Sequence, residues 1–181
     1  MALTLLLGGA RSGKSALAVR MGKSWEGPVV LIATGESRDE EMAEKIKRHR
    51  AARPSQWETL EEPAELTRAL GEVRPDAFVI VDCLTLWVSN LIERNVGEEE
   101  IEWRAREAAS FAAARQGPTV AVSNEVGTGI VPANVLGRLF RNVLGQVNVI
   151  WAEAADRSLF MVAGRALPLL DPETALRDAD G

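Results

Sequence analysis

Gly8-Gly9-Ala10-Arg11-Ser12-Gly13-Lys14-Ser15 decides how the rest of the chain is read. It fits G-x-x-x-x-G-K-[ST], with Gly8 and Gly13 at the glycine positions and Lys14 and Ser15 closing the pattern. The apolar run Leu3 to Leu7 precedes it, and a helix-like segment starts near Ser15. Glycines let the backbone curl so that successive N–H groups converge on phosphate oxygens at a helix N-terminus. Lys14 then supplies a mobile positive charge to the outer phosphates, and the Ser15 hydroxyl is a hard oxygen suited to Mg²⁺. The loop does not say which nucleotide is held or what is done with it.

Working outward, short buried-type runs alternate with amphipathic segments. Val29 to Ala33, Trp57 to Leu60, Ala77 to Val81, Thr119 to Val122 and Leu159 to Ala163 read as strands. Helices are expected after the loop, over about 38–52, from Glu61-Glu62-Pro63, over Leu84 to Ile92, from Glu98 to about Arg115, and from Asn134 to Ala155. The tail from Asp171 is charged and reads as frayed. There is no internal repeat or linker, so the expected architecture is α/β. It is one three-layer phosphate-loop NTPase domain over residues 1–181, with a mainly parallel sheet.

The run Ala77-Phe78-Val79-Ile80-Val81-Asp82 ends in an acid, the Walker B form that delivers a carboxylate beside a loop-bound Mg²⁺. Ser15 and Asp82 are therefore the expected metal-side residues. Thr34 and Gly35 turn the chain at the carboxyl end of a strand, where open α/β sheets place ligands. His49 is the only histidine and stands among Lys45, Lys47, Arg48, Arg50 and Arg53. Two readings remain for it: a partly buried residue on a solvated basic helix, or a neutral imidazole held beside phosphates and able to attack phosphorus. Ser123 to Pro132 forms a shaped loop at a strand end. Its Val126, Ile130 and Val131 are expected to meet a ligand or a neighbouring subunit. Arg138 and Arg141 are expected to face ligand or solvent.

With 181 residues, 46% hydrophobic and 26% charged, the chain suits one sizeable core. The net charge of −5 argues against a general nucleic-acid binder. A single cysteine, Cys83, excludes an internal disulfide and suits a reducing cytoplasm. No apolar run approaches the ~20 residues of a membrane span, and no signal peptide is expected.

A regulatory GTPase is expected to carry an Asn-Lys-x-Asp motif, which is absent. Taken together, several stretches resemble one family. They are the loop itself, Ile32-Ala33-Thr34, Glu41-Met42 with Ile46 and His49 ahead of Arg53-Pro54, and Val81-Asp82-Cys83-Leu84-Thr85. Asn124-Glu125-Val126-Gly127 and Gly129-Ile130-Val131-Pro132 complete the set. The pattern is similar to the bifunctional adenosylcobinamide kinase / adenosylcobinamide-phosphate guanylyltransferase family of cobalamin biosynthesis. Arg138, Phe140-Arg141, Gly145 and Asn148 continue it, and Val149 departs from it where Gln is expected.

The resemblance implies phosphoryl transfer from ATP or GTP to adenosylcobinamide. It also implies GMP transfer from GTP to the phosphorylated corrinoid through a covalent phosphoramidate on His49. Catalytic roles then fall on His49 and Lys14. Nucleotide contacts fall on Gly8, Gly9, Ala10, Arg11, Ser12, Gly13, Lys14, Ser15, Ala33, Thr34, Gly35, Arg50, Ala51, Ala52, Arg53, Glu61 and Asp82. A homo-oligomer, typically a trimer, is implied as well. A plain phosphate-loop kinase or nucleotide-binding module remains the other class.

Overall fold

A computed structural model describes residues 3–36, 40, 44 and 54–179. Its elements, in order, are β1 (Leu3–Gly8), α1 (Lys14–Lys23), β2 (Val29–Ala33), β3 (Glu58–Glu61) and α2 (Leu66–Glu72). Then come β4 (Phe78–Asp82), α3 (Leu84–Glu93), α4 (Glu98–Ala114), β5 (Thr119–Val122) and α5 (Val135–Ala154). The chain finishes with β6 (Arg157–Val162), β7 (Arg165–Leu169) and α6 (Pro172–Ala179).

The strands form one sheet in the order β3-β2-β4-β5-β1-β6-β7. All neighbours pair in parallel except β6 with β7. The central strands are apolar on both faces, as the sequence predicts, because both faces are covered. Side chains alternate across a strand. Leu3, Leu5, Leu7, Val30, Ile32, Val79, Val81 and Ala121 therefore point into the larger core with α2, α3, α4 and α5. Leu6, Val29, Leu31, Phe78, Ile80, Val120 and Val122 point the other way, into a smaller core with Ala18 of α1. Helix, sheet and helix make the three expected layers.

Two expectations need correction at the C-terminus. Residues 159–163 are not the last strand: after Ala163 (φ 50°) and Gly164 (φ 74°) the chain turns back as β7, paired antiparallel from Val162↔Arg165 to Ser158↔Leu169. The segment after Asp171 is not frayed at its start, since Pro172–Ala179 is helical and the Asp171 carboxylate accepts the Glu173 N–H at 2.9 Å. The helix expected from Glu61 begins only at Leu66. There the Glu62 carboxylate accepts the N–H groups of Ala64 (3.0 Å) and Glu65 (2.9 Å) and pairs with Arg68.

At the opposite, amino-terminal edge of the sheet, Arg115 is nine-tenths buried. Its guanidinium donates to the carbonyls of Leu70 (2.8 Å), Arg74 (2.9 Å) and Ala77 (3.3 Å). It closes the turn between α2 and β4 and borders a cavity of about 250 Å³ with Leu70 and Phe111. That cavity is away from the carboxyl ends of the strands.

Candidate active site

Because β1 to β5 run parallel, their carboxyl ends share one edge. The pairings Ala33↔Glu61, Ala33↔Asp82 and Asp82↔Val122 set these residues side by side, and Leu6↔Val122 brings in β1 just before Gly8. The sequence-predicted Gly8–Ser15, Ala33, Thr34, Gly35, Glu61 and Asp82 thus converge on this edge. The predicted His49, Arg50, Ala51, Ala52 and Arg53, and the helix expected over about 38–52, fall in 37–53. Apart from Glu40 and Glu44 of that helix, these residues lie outside the described ones.

The loop is built closely against β6. At Gly8 (φ 147°) a Cβ would overlap the Met161 carbonyl oxygen, so only glycine fits. Gly13 caps the start of α1 and lies against Gly164, whose N–H donates to the Ser12 carbonyl at 3.0 Å. The β6–β7 turn therefore braces the loop from outside. Lys14 is buried, and its Nζ donates to the carbonyls of Gly8 (2.8 Å) and Gly9 (2.7 Å) and to Ser12 Oγ (3.3 Å). Burial lowers its pKa below 10.5, and the neighbouring Cys83 and Asp82 oppose that. Asp82 ends β4, so the loop cation and the strand-end acid are electrostatically coupled.

Helix α3 begins at Leu84, just beyond the Asp82–Cys83 corner, and ties the other loops to this edge. Asn90 Nδ2 donates to the carbonyls of Thr34 (2.7 Å) and Pro63 (3.0 Å), and Trp87 Nε1 donates to Ala64 (2.7 Å). Thr85 Oγ1 accepts the N–H of Asn124 at 2.8 Å. Thr34 is fully buried. Its hydroxyl accepts the Cys83 N–H (2.9 Å) and donates to the Cys83 carbonyl (2.7 Å). Its side chain holds the Asp82–Cys83 corner, whose peptide is cis, in place of reaching outward. Burial first, then the Asp82 charge, pushes the Cys83 thiol up to about 11, so it stays protonated and inert at neutral pH.

The loop after β5 also belongs to this edge. The N–H of Glu125 donates to the Gly8 carbonyl at 3.1 Å, the same oxygen that Lys14 engages. Buried Ser123 donates to Asn148 Oδ1 (2.6 Å), and Asn148 Nδ2 donates to the Asn124 carbonyl (3.1 Å). Arg138 and Arg141, expected to face ligand or solvent, instead hold this loop. Arg138 donates to the carbonyls of Ala133 (2.7 Å) and Pro132 (3.1 Å), and Arg141 to that of Gly127 (2.6 Å). Val126 packs on the larger core, whereas Ile130 is 98% exposed.

The sequence profile described as "Cobinamide kinase / cobinamide phosphate guanyltransferase" matches residues 4–169. The chain belongs to that family. Cobinamide kinase / cobinamide phosphate guanyltransferase relatives with this likeness include CobP of Pseudomonas aeruginosa, named a bifunctional adenosylcobalamin biosynthesis protein. It is 40% identical over 171 residues, covering 91% of this chain and 95% of the relative. CobU of Salmonella typhimurium, with the same description, is 39% identical over 176 residues (90% and 96%). Among solved structures, the Pyrococcus horikoshii protein PH0250 aligns with TM-score 0.57 at 9% identity, over 95% of this chain and 88% of that one. An ATPase from a bacterial type III secretion system aligns with TM-score 0.52 at 13% identity, over 98% and 53%. These two likenesses concern the fold alone. Family membership makes the chain an enzyme, and the three-layer phosphate-loop fold supplies its nucleotide-side framework. Among the described residues no helix is long and apolar enough to cross a membrane.

Neither Glu125, within the strand-end loop expected at this edge, nor Gly164 has a site role from the sequence alone. The only local signal for Gly164 is the Ala-Gly pair between two apolar runs. Glu125 lies in the Asn124-Glu125-Val126-Gly127 stretch that carries the family resemblance, but that stretch gives it no individual role.

Proposed function

We propose that this chain carries both activities of its family. It would phosphorylate adenosylcobinamide with ATP or GTP, then transfer GMP from GTP to the product, giving adenosylcobinamide-GDP. One observation carries the reading: the Lys14 loop and Asp82 lie at one sheet edge, within a chain matched to the family from residue 4 to 169. In the first reaction the Gly8–Ser15 backbone and Lys14 hold the phosphates, while Ala33, Gly35 and Glu61 border the nucleotide. Thr34 positions Asp82. Ser15 and Asp82 offer a hydroxyl and a carboxylate, hard oxygens of the kind Mg²⁺ takes when phosphates complete its shell. Bound there, Mg²⁺ would screen phosphate charge.

In the second reaction His49 attacks the α-phosphorus of GTP, pyrophosphate leaves, and the corrinoid phosphate takes GMP from the histidine. Covalent catalysis of this type divides one displacement into two easier ones. Arg50 and Arg53, with Ala51 and Ala52 between them, would neutralise charge near that phosphorus.

We further propose a single catalytic domain that works in the cytoplasm as a homo-oligomer, with a trimer expected and no nucleic-acid partner. Support for the oligomer comes from two separate exposed apolar areas. One is Ile130, Val131, Val135 and Leu136; the other is Val162, Leu167, Leu169 and Leu170. Distinct patches suit a heterologous contact that closes a ring.

The kinase half is tested by incubating the protein with adenosylcobinamide, Mg²⁺ and γ-labelled ATP or GTP. Labelled corrinoid phosphate is expected from the parent, with a loss on the order of 10²–10³-fold in Lys14→Ala. Full activity in Lys14→Ala would remove the phosphate-loop assignment.

A further inference from the structure

Phosphoryl transfer to an alcohol needs a group that orients the hydroxyl and takes its proton. Among the residues so far assigned, Lys14 is a cation, Asp82 is placed for the metal, and His49 serves the guanylyl step. Strand β5 lies between β1 and β4 in the sheet, so the chain leaving Val122 emerges between the phosphate loop and Asp82. Ser123 is buried, and Asn124 is fastened through its backbone to Thr85 and Asn148. Glu125 is the first acidic side chain of that loop. Its backbone N–H shares the Gly8 carbonyl with the Lys14 ammonium, which fixes it beside the loop.

The surrounding turn is built to hold Glu125 without neutralising it. Its carboxylate accepts the N–H of Gly127, and the Gly127 carbonyl is fastened by Arg141 from α5 at 2.6 Å. Arg141 therefore engages the turn's backbone and not the carboxylate. Among the described residues Glu125 has no ion-pair partner. The residue is half-buried.

We infer that Glu125 is the base of the kinase step, placed by its shared Gly8 carbonyl and by the turn that Arg141 holds. This rests on the kinase reading above. The acceptor oxygen forms a bond to the γ-phosphorus, the bond from that phosphorus to the bridging oxygen breaks, and ADP or GDP leaves with that electron pair. The hydroxyl proton passes to the Glu125 carboxylate.

The test compares the parent with Glu125→Gln, Glu125→Asp and Glu125→Ala. For Glu125→Gln, kinase kcat should fall on the order of 10²–10⁴-fold, the range for a general base. The nucleotide KM should stay within about twofold, as expected for an interaction made chiefly in the transition state. Covalent labelling by α-labelled GTP should persist, since that step does not use the acceptor hydroxyl. Glu125→Asp should retain part of the rate, and added formate should restore part of it to Glu125→Ala. Three results would overturn the assignment: kcat within about threefold of the parent in Glu125→Gln, equal loss of kinase and covalent labelling, or no recovery with formate. A parent that forms covalent guanylate but never phosphorylates the corrinoid would instead remove the kinase reading itself, and this inference with it.

Discussion

Thr34 and Cys83 are locked together by a reciprocal pair of hydrogen bonds through one hydroxyl. Thr34 Oγ1 accepts the Cys83 N–H at 2.9 Å and donates to the Cys83 carbonyl at 2.7 Å. Since Cys83 follows Asp82 directly, this contact holds the strand-end acid from the neighbouring strand. Thr34→Val keeps the shape but leaves the Cys83 N–H unpaired and its carbonyl with the Trp87 N–H alone. Stability should drop by about 2 kcal/mol, measured by urea unfolding, and the Mg²⁺ concentration for half-maximal activity should rise. Thr34→Ser should restore most of both. Parental stability in Thr34→Val would show that the hydroxyl is dispensable.

Glu62 gives a pH dependence with a defined sign. Burial raises its pKa, but the N–H groups of Glu65 and Ala64 and the Arg68 guanidinium outweigh that and bring it below 4.5. A depressed folded pKa means the carboxylate adds stability that is complete above its unfolded pKa. That stability is lost as pH falls through the folded value. Glu62→Gln should therefore cost about 1–2 kcal/mol at pH 7, as for loss of a helix cap. The gap should close in strong acid. A gap independent of pH would contradict this account.

Arg115 is a structural cation remote from the site, and burial lowers its pKa. Arg115→Met keeps much of the side-chain volume but strips donors from Leu70, Arg74 and Ala77. We expect a loss of about 2–3 kcal/mol by denaturant unfolding. Activity per folded molecule should not change, since these carbonyls lie at the amino edge.

Gly164 carries a different kind of prediction, because it supports the phosphate loop from the β6–β7 turn. Its φ of 74° disfavours any L side chain, at about 1–2 kcal/mol. Its N–H also meets the Ser12 carbonyl at 3.0 Å. Gly164→Val should raise the nucleotide KM about tenfold, corresponding to ~1.4 kcal/mol. An unchanged KM would show that the loop holds its form without the brace.

Much of this was legible in the sequence where the signal is local. The buried strands announce themselves as apolar runs, and the phosphate loop and Asp82 as short patterns with strand or helix beside them. Strand β7 escaped because Arg165–Leu169 is exposed throughout and contains Pro168, so neither burial nor alternation marks it. The terminal helix escaped because its composition is that of a charged tail, while its start depends on one carboxylate, Asp171. The site's supporting contacts escaped for another reason. Thr34 meets Cys83 across 49 residues, and Asn90 meets Thr34 across 56, pairings that only the folded sheet creates. Glu125 likewise gains its meaning from β5 lying between β1 and β4.

The central claim is that one phosphate loop serves two reactions, the second through a covalent histidine. Incubation with α-³²P-GTP and Mg²⁺, followed by denaturing electrophoresis of the parent and of His49→Ala, tests it most directly. Label on the parent that is lost in acid and stable in alkali is expected, with none on His49→Ala. A folded, nucleotide-binding parent that takes up no label, or a His49→Ala variant labelled like the parent, would contradict it.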